Sequence, residues 1–136
     1  MPTTTRFEDI EAWKTARELT RTIYALTEQG QFAKDFGLKN QIQRASVSVM
    51  SNIAEGFESR TQAQFLEYLG RSKASAGEVR CQLYIALDLK YLSQEQFNLV
   101  FDLADKSSRQ LARFMDYLET HPQSRRLREE GPEYEV

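Results

Sequence analysis

The stretch TQAQFLEYLGRSKASAGEVRCQLYIALDL, residues 61–89, decides the fold. Thr61 and Gln64 stand at the capping-box spacing, with a hydroxyl at the cap and an amide three residues on, so a helix starts here. Phe65, Leu69, Ser72, Ala76, Val79, Leu83 and Ala86 then alternate steps of four and three without a break. That period belongs to helices packed side by side in a left-handed bundle. The spacing predicts a helix over 62–90, about 43 Å long at 1.5 Å per residue.

The same signals recur on both sides. Toward the C-terminus, Ser93 and Gln96 repeat the capping box, and Phe97, Phe101, Ala104, Ser108, Leu111, Met115 and Leu118 repeat the rhythm. His121-Pro122 closes this helix, predicted over 94–120, because proline disfavours helical geometry in the residue before it. Toward the N-terminus, Leu38, Ile42, Ala45, Val49, Asn52 and Gly56 mark a seam in a helix predicted over 37–58. Trp13, Ala16, Leu19, Ile23 and Leu26 form an apolar stripe in a helix predicted over 8–29. GQFAKDFG, residues 30–37, reads as a loop with glycine at each end. No segment alternates like a strand. The fold class is therefore all-α: an up-down-up-down, left-handed four-helix bundle over 1–120. Residues 121–136, charged and with little to bury, read as a flexible, disordered tail.

Composition narrows the function classes. The chain has 136 residues, a size suited to one domain, and a 28% charged and 40% apolar composition typical of soluble globular proteins. A net charge of −2 argues against a polybasic nucleic-acid binder. Cys81 is the one cysteine, so an internal disulfide is excluded; a small, partly buried thiol in a reducing compartment is expected. No apolar run approaches the roughly 18 residues that span a bilayer, and the N-terminus has no apolar h-region. A cytoplasmic location follows as the expectation, with no membrane partner. The single histidine, His121, lies at the bundle's edge, which leaves no Glu-x-x-His metal pattern and no nucleophile–histidine pair. No phosphate loop is present. Neither a cofactor nor a small-molecule substrate is expected, and the chain reads as non-enzymatic.

Within the second helix, SVMSNIAEGFES (48–59) has apolar residues all around it, yet carries an amide, a carboxylate and a glycine. Asn52 and Glu55 are three apart and share a face, which Arg44 and Ser48 extend; Glu78 sits among small residues on the third helix, Ala74, Ser75, Ala76 and Gly77, which allow close helix approach. An acid–amide pair in an active site is one reading. A hydrogen-bonded network of Arg44, Asn52, Glu55 and Glu78 that fixes helix register or a subunit contact is the preferred one. Gly56 would let a neighbouring backbone or aromatic ring close in. A second apolar line, Val47, Met50, Ala54 and Phe57, exceeds what one bundle core can use, so it is the expected contact of a homo-oligomer. Lys14, Arg17 and Arg21 share a face of the first helix, and Lys106, Arg109 and Arg113 share one of the fourth. Such stripes could meet RNA or DNA phosphates weakly and without sequence preference, or be solvated faces laced with ion pairs.

Three segments carry a family resemblance: FEDIEAWKTARELTRTIYALT (7–27), LKNQIQRASVSVMSNIAEGFES (38–59) and QFLEYLGRSKASAGEVRCQLYIALDLKYL (64–92). Together they resemble the four-helix-bundle proteins named for open reading frames in intervening sequences of large-subunit ribosomal RNA genes. SNIAEG after QIQRA is the most specific part. The resemblance implies left-handed bundles assembled as homopentamers. It also implies kinship with accessory proteins of diversity-generating retroelements, which bind nucleic acid. The nearly balanced charge of this chain departs from those nucleic-acid-binding relatives. Most of the resembling family has no established biochemical function.

Overall fold

The structure, a computed structural model, describes residues 5–122. A single 3-10 turn, Phe7–Asp9, leads into α1, Glu11–Thr27. A second 3-10 turn, Phe32–Lys34, precedes α2, Phe36–Glu58. α3 runs Gln62–Asp88 and α4 Gln94–Thr120. Among the described residues there is no strand. The expected tail, His121 and Pro122 apart, lies outside the described residues.

Both capping boxes form. Thr61 Oγ1 accepts from Gln64 N–H at 3.1 Å, and Ser93 Oγ accepts from Gln96 N–H at 3.1 Å, while each glutamine reaches back to its cap N–H. α1 is shorter than expected because nothing caps it through a side chain. Ile10 stays extended and is buried, so the chain turns in before the helix starts. Asp35 caps α2 by accepting from Leu38 N–H at 3.1 Å, and its other oxygen accepts from the Tyr91 hydroxyl at 2.9 Å. That second bond ties the loop before α2 to the loop after α3. It also raises the Tyr91 pKa, first through the hydrogen bond itself, then through desolvation and the carboxylate's charge. α3 ends two residues early, because Lys90 takes a left-handed φ of 62°. Lys90 N–H then reaches Leu87 O and Tyr91 N–H reaches Ala86 O, both at 2.9 Å, a Schellman closure with lysine where glycine is usual. Phe32, inside the expected loop, is fully buried and stacks on Tyr91 at 5.3 Å.

α1 packs on α2 and α4, α2 on α3, and α3 on α4, which is the up-down-up-down arrangement. The core falls into two clusters along the bundle. One gathers around Phe32, with Leu19 and Ile23 of α1, Ile42 of α2, Leu83 of α3 and Val100 of α4. The other gathers around Phe57, with Ala16 of α1, Ile53 of α2, Leu69 of α3 and Leu111 of α4. Between them lies a waist of small polar residues, where Ser46, Ser107 and Ser108 are buried; Ser72 is buried just inside the Phe57 half. Ser72 Oγ donates to Val49 O at 2.7 Å and Thr20 Oγ1 to Ser46 O at 3.0 Å, so hydroxyls join neighbouring helices there. Small side chains at the waist let the helices approach closely. Gly56 does the same further along the α2–α3 contact. A Cβ placed there would come within 2.7 Å of Tyr68 Cβ and 3.0 Å of the Phe65 ring.

Candidate association surfaces

The α2–α3 seam carries the polar residues singled out from the sequence, but in a different arrangement. Asn52 Nδ2 donates to Ser48 O at 2.9 Å and to Ser48 Oγ at 2.8 Å. Ser48 Oγ in turn lies 2.8 Å from Ser75 Oγ of α3. Glu55, Glu78 and Arg44 are exposed, and Glu78 accepts from Gln82 Nε2 at 3.2 Å on its own helix. The expectation of a buried carboxylate network is therefore corrected: within the protomer the network is Asn52–Ser48–Ser75. The reason is angular. Glu55 precedes Gly56, and Glu78 precedes Val79, both core-facing positions, and one residue turns a side chain by about 100°. Ser48, on the face read from the sequence, and Ser75, among the small residues of α3, make the inter-helix bond. Gln82 was missed altogether; it is buried, and its Oε1 has no partner among the described residues.

The apolar line on α2 also divides. Val47 is 39% exposed, and Met50 and Ala54 are half-buried. Phe57 is core: it is 3% exposed and meets the Phe65 ring edge-on at 6.0 Å. Steps of three, four and three drift around a helix of 3.6 residues per turn, so the last member of the line swings inward. The structure adds exposed apolar residues that periodicity alone had not separated from the core: Tyr24, Phe36, Tyr84, Ile85, Leu89 and Leu99. Cys81 is exposed rather than partly buried. It lies on the outer face of α3, one turn before Ile85.

The six basic residues are all exposed. Lys14 pairs with Glu11 at 3.2 Å, Arg17 lies over the Trp13 ring at 5.7 Å, and Arg109 pairs with Asp105 at 3.0 Å. Asp105 also takes Arg80 of α3 at 3.3 Å. Among the described residues Arg21, Lys106 and Arg113 make no ion pair. Groups of His, Cys, Asp and Glu able to hold a metal are absent from the described residues, and no described helix is long and apolar enough to cross a membrane.

Residues 8–113 match the 23S rRNA-intervening sequence protein family. The chain belongs to that family. The match takes in α1, α2, α3 and most of α4, the segments that form both core clusters. A crystal structure of a protein of unknown function from the S23 ribosomal protein family of Bacteroides thetaiotaomicron VPI-5482 is similar in fold. Its TM-score is 0.71 at 21% identity, over 76% of this chain and 97% of that one. Among curated proteins none matches.

Proposed function

We propose that this intervening sequence protein is a non-enzymatic, cytoplasmic homo-oligomer, pentameric on the family resemblance, that scaffolds or binds a macromolecular partner. The observation that carries this reading is the set of exposed large apolar side chains, from Val47 at 39% to Phe36 at 69%. Soluble monomers seldom leave a large contiguous apolar area in water, and association removes it. Light scattering tests the reading. The expected mass at micromolar concentration is at least twice that of the 15.8 kDa chain, and five times for a pentamer. A monomer mass overturns it.

A second reading, nucleic-acid binding by the repeated stripes, is favoured by one observation: Arg21, Lys106 and Arg113 are exposed without a carboxylate partner among the described residues. Binding would be weak, indifferent to base sequence and steeply salt-dependent, with about −0.9 in log–log slope per phosphate contact on duplex DNA. Lys106→Glu with Arg113→Glu should abolish it. An anisotropy titration that shows no binding at low salt removes this reading and leaves self-association untouched.

A further inference from the structure

Two unlike surfaces stand out on different sides of the bundle. The first lies along α1 and α2. Thr20 reaches the Ser46 carbonyl, so the Thr20 side of α1 looks toward α2, and Tyr24, one turn on, follows it. Tyr24 shares this face with Phe36 and Val47 of α2, and all three are exposed. Gln43 closes the groove between the helices by donating to Thr27 Oγ1 at 2.9 Å. Arg17 and Arg21 of α1 and Arg44 of α2 border this face, with the carboxylate of Glu18 beside them, and all four are exposed. Glu28, at its far end, is held by Lys39 at 3.2 Å. The face is apolar with a cationic border.

The second surface is the outer ridge of α3, the helix that packs on α2 and α4 and lies diagonally across from α1. Glu78, Cys81, Ile85 and Leu89 follow one another at helical spacing, and all are exposed. The charged residues of α3 from Ala74 to Leu89 are Glu78, Arg80 and Asp88. Arg80 is turned to Asp105 of α4, so on the helical part of the ridge the charges are the carboxylates of Glu78 and Asp88, with Lys90 exposed just past its end. Phe36–Val47 and Glu78–Leu89 each extend about 16 Å along their helices, so groove and ridge match in length.

We propose that the α3 ridge of one copy seats in the α1–α2 face of the next, head to tail. This rests on the self-association reading and adds which surfaces meet and in what symmetry. Ile85 and Leu89 pack against Tyr24, Val47 and Phe36, while the carboxylates of Glu78 and Asp88 come to the guanidinium groups of Arg17 and Arg21. Like-on-like contact is disfavoured on both sides, since it sets cation against cation or carboxylate against carboxylate. A contact between unlike surfaces is heterologous, and it closes into a ring when its rotation divides a full turn.

The test uses full-length chains carrying Val47→Glu or Ile85→Glu, both at exposed positions, with circular dichroism to verify folding. Alone, each variant should lose the wild-type mass and run as a monomer in light scattering. Mixed in equal amounts, they should form a 1:1 dimer, because each still carries the surface that the other lacks. Adding Arg21→Glu to the Val47→Glu chain leaves that dimer intact, since the damaged face is not the one used. Adding Asp88→Arg to the same chain weakens it at least tenfold. An assembled wild type with an unaffected Ile85→Glu variant overturns this pairing alone. So does a mixture that stays monomeric at the highest concentration reached. A monomeric wild type overturns the self-association reading beneath it.

Discussion

The Phe32 half and the Phe57 half of the bundle bury cores of the same kind, yet they present different surfaces. Each core takes side chains from all four helices. The Phe32 half exposes Tyr24, Phe36, Tyr84, Ile85, Leu89 and Leu99, with Val47 at the waist. Among the described residues the Phe57 half exposes no large apolar side chain. Its surface aromatics, Phe7, Trp13, Phe114 and Tyr117, are half-buried against their own core. In the Phe32 half, Tyr84 is engaged by the fold, since its ring packs against Phe97 and Phe101 of α4 at 5.3 and 5.4 Å. One half completes its core without such a surface, and the rest of the other half's apolar surface is the area we propose a second copy covers.

The sharpest way to break the comparison is to damage each core in turn. Leu83→Ala in the Phe32 half and Leu69→Ala in the Phe57 half remove fully buried side chains. Each should cost about 2–5 kcal/mol. Calorimetry should show one transition in both variants. Two resolved transitions would mean that the waist separates independent units. Next come two glycines of different surroundings. Gly56→Ala forces a Cβ into Tyr68 and Phe65 and should cost about 1–3 kcal/mol. Gly70→Ala meets nothing nearer than Met115 at 3.9 Å and should stabilise by roughly 0.5–1 kcal/mol. Denaturant melts that place the two changes on the same side of wild type would contradict the close α2–α3 approach.

A smaller effect concerns the tie between loops in the Phe32 half. The Tyr91 pKa is raised above its ordinary value of 10.0 because the bond to Asp35 needs the phenol proton. Its contribution is complete below that ordinary value and is lost as pH rises through the raised one. Stability melts should therefore show wild type falling toward Tyr91→Phe only in strongly alkaline solution, and a gap that is constant with pH would refute the linkage. Smallest of all, Leu99→Gln should change stability by less than about 0.5 kcal/mol, since the side chain is 67% exposed. A larger loss in thermal melts would mean that Leu99 belongs to the fold and not to the surface.

The bundle was legible in the sequence because its core positions obey one rule. Phe65, Leu69, Ser72, Ala76, Val79, Leu83 and Ala86 are all buried, as the heptad spacing of α3 implies. Both capping boxes announced helix starts through local chemistry alone. The surfaces were harder to read. Spacing puts Asn52 and Glu55 on one face and Glu78 beside small residues, whereas exposure depends on where the neighbouring helix sits. Ile85 and Leu89 look like core in a list of apolar residues, and only the placement of α2 and α4 shows that they face out. Phe57 was misplaced for the converse reason, since a line that steps around a helix can begin outside and end inside.

Side-chain footprinting by hydroxyl radicals across a dilution series tests the central claim most directly, because it reads which half is covered when copies meet. Tyr24, Phe36 and Leu89 should become protected as concentration rises, while Tyr68 and Tyr117 of the Phe57 half react at the same rate throughout. Protection confined to Tyr68 and Tyr117, or the same rate at every concentration for Tyr24, Phe36 and Leu89, would contradict this.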